Sequence, residues 1–268
     1  MGLPMIDQGP VLLRIADGVA HLRLNRPDAS NGMNVELLKA LGDAIMVCHG
    51  EPGIRAVLLT GEGKNFCAGG DVHDFASKGE KLPDYLRQAT AYLQNAVAGL
   101  IRLEAPVVTS VQGFAAGGGG FGLVCASDMV VAGASAKFLA GATRVGMAPD
   151  AGVSVTLPRL VGLRKATAIL LTNPVITAAE ALELGIINRV VPDAELADAS
   201  LQLARELAAG APKALAATKR LLWSGIGTSV EQCLPEEART VSELSGTADA
   251  REGLAAVIER RKPTFTGR

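Results

Sequence analysis

Aromatic residues are scarce in this chain, with one Trp, two Tyr and six Phe among 268 residues. A core of stacked rings is therefore excluded. Hydrophobic residues still make up 49% of the chain, so Ala, Val, Leu and Ile must fill a substantial interior. Histidine is equally rare, at three residues, and the four cysteines Cys48, Cys67, Cys125 and Cys233 form no CxxC pair. Only His49 stands beside a cysteine, so no metal site is expected. Without a disulfide framework the thiols read as reduced and mostly buried, as in a cytoplasmic protein. Excess charge is missing too. The formal net charge is −1, which gives no electrostatic support for binding nucleic acid.

Other absences narrow the reading further. The opening MGLPMIDQGP has neither a basic n-region nor an apolar h-region, so a secretory signal is not expected. Its Met-Gly start is followed by Ile6 where a myristoylation pattern needs Ser or Thr. No charge occurs between Ala105 and Ser127, a length that invites a membrane-spanning reading. Pro106 and six glycines from Gly113 to Gly122 make a poor membrane helix. A buried strand, a glycine turn and a buried helix fit that stretch better, and no membrane partner is expected.

What is present alternates strands with helices. Val11–Ile15 and Val19–Leu24 flank Asp17-Gly18, the signal of a tight hairpin. Asn34 caps a helix whose apolar positions Leu37, Leu38, Leu41, Ile45 and Met46 recur at helical spacing. Ile54–Thr60, Val107–Val111 and Met129–Ala132 read as strands, which argues an α/β fold. Thr177-Ala-Ala-Glu180 is a capping box opening a short helix, and Ile186–Val191 is the last strand-like run. Four helices follow, over Asp193–Ala209, Pro212–Trp223, Ser229–Ser245 and Thr247–Arg261. The chain thus divides into a core domain over 1–192 and a helical region over 193–268.

Two glycine-rich segments carry the chemical signal. One is Phe66-Cys-Ala-Gly-Gly-Asp71, after the third strand; the other runs from Gly113 to Gly122, between a strand and an apolar helix. Small residues let backbone N–H groups approach a ligand, and a helix start adds unpaired donors with a favourable dipole. Two such segments can converge on one oxygen as an oxyanion hole. They can equally serve tight turns and close helix packing. A nucleotide loop is disfavoured, because the Lys-Ser/Thr of a phosphate loop is missing.

Taken in order, these segments resemble the crotonase (enoyl-CoA hydratase/isomerase) superfamily. Phe66–Asp71 resembles its F-x-A-G-x-D segment, and Val111-Gln-Gly113 with the glycine run resembles its second oxyanion segment. Leu24-Asn-Arg26-Pro27, Pro158-Arg-Leu-Val-Gly162 and Arg251-Glu-Gly253 with Glu259-Arg-Arg-Lys262 match in the same order. The resemblance implies a crotonase-like spiral of β-β-α units, with C-terminal helices that build a homotrimer or homohexamer. It implies an acyl-CoA substrate, coenzyme A being part of that substrate rather than a separate cofactor. The thioester oxygen would be held by the amides of Ala68 and a glycine of the second segment. Counting back from the Gly122-Leu123 helix gives Gly119; counting forward from Gly113 gives Gly118, since the run has one residue more than the common pattern. Arg26, Gly69, Gly70, Asp71 and Arg260 fall at substrate-binding positions, Asp71 near the adenine and Arg260 near the CoA 3′-phosphate.

The two glutamates that hydratases of the family use are replaced by Gly122 and Ala142. Neither side chain can carry a proton. Asp150, in Gly146-Met-Ala-Pro-Asp-Ala-Gly152, resembles the acid of some enoyl-CoA isomerase branches, 1,2-epoxyphenylacetyl-CoA isomerase relatives among them. That implies an isomerase in which Asp150 is a single acid/base, the alternatives being an enoyl-CoA hydratase or lyase of the same fold and a non-catalytic CoA-binding homologue. An Asp before an apolar stretch also suits a helix N-cap. A dehalogenase-like nucleophile would need Trp and His support, and the only Trp is Trp223 in a C-terminal helix. His73 and Asp74 read as a solvated loop, and His21 and Asp128 as structural groups.

Overall fold

The computed structural model describes residues 5–268. Residues 1–4, which include the Met-Gly start, lie outside the described residues. Strands β1 (Val11–Ala16) and β2 (Val19–Leu24) pair antiparallel across Asp17 and Gly18. Both turn residues have positive φ, 52° and 77°, the backbone of a turn that matches strand twist. Helix α1 (Val35–Gly50) is capped by Asn34, whose Oδ1 accepts from Leu37 N at 2.9 Å. Its expected apolar face is buried except at Met46, which is 65% exposed.

Strand β3 (Ala56–Gly61) leads through the first glycine segment to α2 (Val72–Ala76) and the long α3 (Leu82–Arg102). His73 and Asp74 therefore lie on a short helix, started by Asp71 Oδ1 accepting from Asp74 N, rather than in a loop. Then come β4 (Val107–Val111), β5 (Phe114–Ala116), a π-helix over Gly118–Gly122 and one α-turn, α4 (Leu123–Cys125). Strands β6 (Met129–Gly133) and β7 (Lys137–Leu139) precede α5 (Val153–Val161) and α6 (Leu163–Thr172). After β8 (Ile176–Thr177), the expected capping box starts α7 (Ala178–Glu183). The last strand, β9, is confined to Arg189–Val191. Helices α8 (Leu196–Ala208), α9 (Pro212–Gly225), α10 (Val230–Ser245) and α11 (Ala248–Glu259) complete the chain.

The main sheet has the order β1-β2-β3-β4-β6-β9, parallel from β2 onward. A second sheet, β5-β7-β8, is assembled from short strands that follow β4 and β6. Two successive turns of chain, β4-β5-α4 and β6-β7-α5, thus contribute a strand to each sheet and then a helix, the β-β-α unit of the spiral that the resemblance implies. The short strands of the second sheet carry too few residues to show a period in the sequence.

Parallel strands are buried on both faces. Val57 and Leu59 face a core with Leu22, Leu37, Leu41 and Phe66, while Ala56 and Leu58 face Leu196, Ala204 and Ala208 of α8. A boundary at residue 193 puts α8 in the appended region, yet this helix covers the second face of the sheet and belongs to the core. The remaining helices attach through a buried ion pair, Lys219 Nζ to Asp128 Oδ2 at 2.7 Å. Asp128 also accepts from Val107 N and Trp223 Nε1, so its structural reading holds. His21 is structural too, paired with Thr60 Oγ1 at 3.0 Å and pushed by burial down to a pKa of about 4. All four cysteines are free, three of them buried. No described helix is long and apolar enough to cross a membrane, and no metal-binding cluster occurs among the described residues.

Candidate active site

The two glycine segments are stitched together by backbone pairing. Cys67 and Ala115 form a parallel bridge, with Cys67 N donating to Phe114 O at 3.1 Å and Ala116 N to Cys67 O at 2.9 Å. On its other side the first segment pairs with the Pro27–Asn34 loop. That loop is anchored by the fully buried Asn31, whose Nδ2 donates to the carbonyls of Glu62, Asn65 and Phe66.

This anchoring decides which amides are free. Ala68, the donor implied by the family resemblance, has its N–H committed to Ser30 O at 3.0 Å. Two residues on, Met33 bridges Gly70 through Met33 N to Gly69 O and Asp71 N to Met33 O. Alternate residues of an extended segment point opposite ways, so Gly70 turns its own N–H and C=O away from Met33. Among the described residues that N–H has no acceptor. A β-carbon on Gly117 would lie 3.9 Å from Gly70 N, which puts this amide beside the second glycine segment. Gly70 has no room for a side chain either, since its β-carbon would come within 2.5 Å of Phe75 Cζ.

The extra residue of the second segment is absorbed by the π-helix. A π-turn spans one residue more than an α-turn, and such bulges occur at functional sites. Gly118 and Gly119 both fall in its first turn, where N–H groups lack intrahelical partners. Both line the same cavity as Gly70, about 580 Å³ in volume and largely apolar. Leu86, Ala89 and Leu93 of α3 and Leu139 and Met147 on the opposite side form its walls. The wall on this side thus comes from α2 and α3, through Phe75, Leu86, Ala89 and Leu93. Asp74 itself pairs instead with Lys78 Nζ at 2.7 Å and accepts a hydrogen bond from the Tyr85 hydroxyl.

Among the described residues, Asp150 is the only carboxylate lining this cavity, and Arg144 is the only cation. Its carboxylate lies against Gly118: a β-carbon on that glycine would collide with Asp150 Oδ1. Burial pushes the Asp150 pKa upward, making it a stronger base once ionised. It is not a side-chain N-cap. Helix α5 is capped by Gly152, and Asp150 contributes only its backbone carbonyl, accepting from Val153 N at 3.0 Å. Of the positions that hold glutamate in hydratases, Ala142 lines the cavity and Gly122 is buried beneath it.

Two sets of backbone donors beside one desolvated carboxylate in an apolar cavity is an arrangement suited to acyl-thioester enolates. The profile of the enoyl-CoA hydratase/isomerase family matches residues 14–268. The chain belongs to that family. The family enzyme is 38% identical to a probable enoyl-CoA hydratase of Rhodobacter capsulatus, over 95% of this chain and 96% of that one. It is 35% identical to the 1,2-epoxyphenylacetyl-CoA isomerase of Escherichia coli, over 96% and 98% of the two chains. A solved structure of a putative enoyl-CoA hydratase from Streptomyces coelicolor superposes with a TM-score of 0.93 at 32% identity, covering 100% of this chain and 98% of that one. These likenesses also place the family enzyme in the crotonase fold.

Not every residue marked in the sequence meets at this cavity. Gly69 and Gly70 line it, but Arg26 and Asp71 do not. Arg26 Nη2 pairs with Asp71 Oδ2 at 3.0 Å and its Nη1 donates to Gly32 O, so the two side chains brace the loop. Arg260 is the left-handed C-cap of α11 and lies outside the cavity lining. Trp223 is bound to Asp128, away from the cavity, and gives a dehalogenase reading no support. Met33 and Phe75 line the cavity without any sequence signal, Met33 brought there by its long-range pairing with Gly70 and Phe75 by the short helix α2.

Proposed function

We propose that this family member is an isomerase that moves a C=C bond within an acyl-CoA, with Asp150 as its single acid/base. The observation that carries this reading is that, among the described residues, Asp150 is the sole carboxylate lining the cavity, and it lies against Gly118 at the start of the π-helix. The carboxylate takes a proton from C2 of a 3-enoyl thioester. The electron pair moves into the thioester carbonyl, and the resulting enolate oxygen accepts from Gly70 N–H and the first amides of the π-helix, Gly118 and Gly119. Asp150 then returns the proton to C4 as the double bond settles between C2 and C3. No atom is gained or lost. Each oxyanion donor contributes about 2.7–4 kcal/mol to such a step.

Hydration requires a second proton-carrying group to activate water, and neither Gly122 nor Ala142 supplies one. Coenzyme A is taken as part of the substrate, with Arg260 reaching its 3′-phosphate from a neighbouring chain. The C-terminal helices are proposed to build a homotrimer or homohexamer, on the support of exposed Val241, Leu254, Val257 and Ile258. Sedimentation of Val257→Asp should then show smaller species than the parent protein.

The deciding experiment incubates the protein and its Asp150→Asn variant with 3-enoyl- and 2-enoyl-CoA, following mass and double-bond position. Unchanged mass with a moved double bond, lost in the variant, supports the isomerase. Gain of one water by an equally active variant returns the chain to the hydratases.

A further inference from the structure

Gly122 stands where a family hydratase carries a glutamate, and the structure gives a steric reason for the glycine. A β-carbon on Gly122 would lie 2.5 Å from Ala151 Cβ and 3.4 Å from Val153 Cγ2. The methyl of Ala151 fills the space that a side chain at 122 would need.

Ala151 itself is in an unusual state. Its φ is +51°, in the left-handed region, and it is followed by Gly152 at +76°. An L-residue crowds its following carbonyl there, so the conformation persists only where the surroundings over-determine it. Ala151 is 4% exposed, and its methyl lies against Gly122. This left-handed residue directly follows Asp150. One turn earlier on the same face of the π-helix, Asp150 Oδ1 fills the position of a Gly118 β-carbon. Two consecutive residues, Asp150 and Ala151, thus key into two missing side chains four residues apart on the π-helix.

We propose that Ala151 and Gly122 are a positioning pair: the Ala151 methyl, seated on Gly122, locks the left-handed turn that holds the Asp150 carboxylate over Gly118. The proposal rests on Asp150 being the acid/base of the isomerase reading. It also explains why the glutamate position cannot simply be refilled. Any side chain at 122 displaces Ala151, and the Asp150 base with it.

The test compares Gly122→Ala, Ala151→Gly and the double variant, in which the methyl changes owner and total volume is kept. Gly122→Ala should lower kcat at least about tenfold with KM changed less than about twofold, since alignment rather than binding is lost. Ala151→Gly should lower kcat about fivefold by freeing the turn, without any steric load that threatens folding. The double variant should recover to within about threefold of the parent. A second readout needs no turnover: the 13C titration of the Asp150 carboxyl in the free protein. Arg144 is the other charged group lining the cavity and is unchanged in all variants. The titration should move toward the ordinary aspartate range in both single variants and return in the double one. Parent-like kcat and titration in the single variants, or a double variant no better than Gly122→Ala, would overturn the proposal. If the parent moves no double bond, the isomerase reading fails by itself, and the carboxyl titration still decides the positioning pair.

Discussion

Asp150 Oδ1 occupies the place of a side chain that Gly118 does not have. The glycine run therefore serves two ends in the isomerase reading, exposing amides at the start of the π-helix and admitting the base to the same spot.

Gly118→Ala should cost about 100-fold or more in kcat, because its methyl evicts the carboxylate from its position. The fold should survive, since Gly118 borders a cavity rather than packed core. Steady-state kinetics beside a thermal melt separates the two effects. A variant with parent-like kcat would show that Asp150 acts from another position or not at all.

The raised pKa of Asp150 makes two linked predictions. As a base it must be ionised, so kcat/KM should climb with pH and level off only above that raised value. Stability runs the other way. A carboxyl whose folded pKa exceeds its unfolded value binds more protons when folded, so it loses stability as pH rises between the two. Asp150→Asn should therefore melt higher than the parent at neutral pH, with the gap closing below the ordinary aspartate range. A lower melting temperature at neutral pH would contradict the desolvation on which the raised pKa depends.

Phe75 closes one side of the cavity, its ring packed over Gly70 and edge-on to Tyr85 at 6.1 Å between centroids. Phe75→Ala should shift kcat/KM toward bulkier acyl groups by about tenfold, in line with the worth of a few methylenes in an apolar pocket. Competition between short and branched acyl-CoA substrates measures it. An unchanged preference would place the acyl group elsewhere.

Lys219 is 6% exposed and binds Asp128 together with the carbonyls of Leu100 and Ala105. Lys219→Met would leave Asp128 as a buried charge without its partner, at a cost of about 3–5 kcal/mol. Urea unfolding should register this loss. Activity measured well below the unfolding midpoint should change little, since the pair lies outside the cavity lining.

Much of the scaffold was legible from residues. Asp17-Gly18 specified the hairpin, Asn34 and Thr177 with Glu180 specified two helix starts, and apolar runs located the main-sheet strands. These are local signals, in which a side chain bonds to backbone within four residues or a period repeats along one element. The second sheet escaped notice because its strands are two or three residues long. Met46 was misplaced because helical spacing marks a stripe without marking its edge.

By itself, then, the sequence determined the family, the order of the main-sheet strands and the C-terminal helices, the two glycine segments and the lack of a carboxylate at positions 122 and 142. Which amide is free was a tertiary decision. Ser30 reaching Ala68, and Met33 reaching Gly70, are pairings between distant parts of the chain. The facing of Asp150 was decided the same way, by the fit of Ala151 and Asp150 onto two glycines of a helix formed earlier in the chain. Residue types fix what chemistry is possible. Hydrogen bonds and close contacts between distant segments fix which groups remain unspent to perform it.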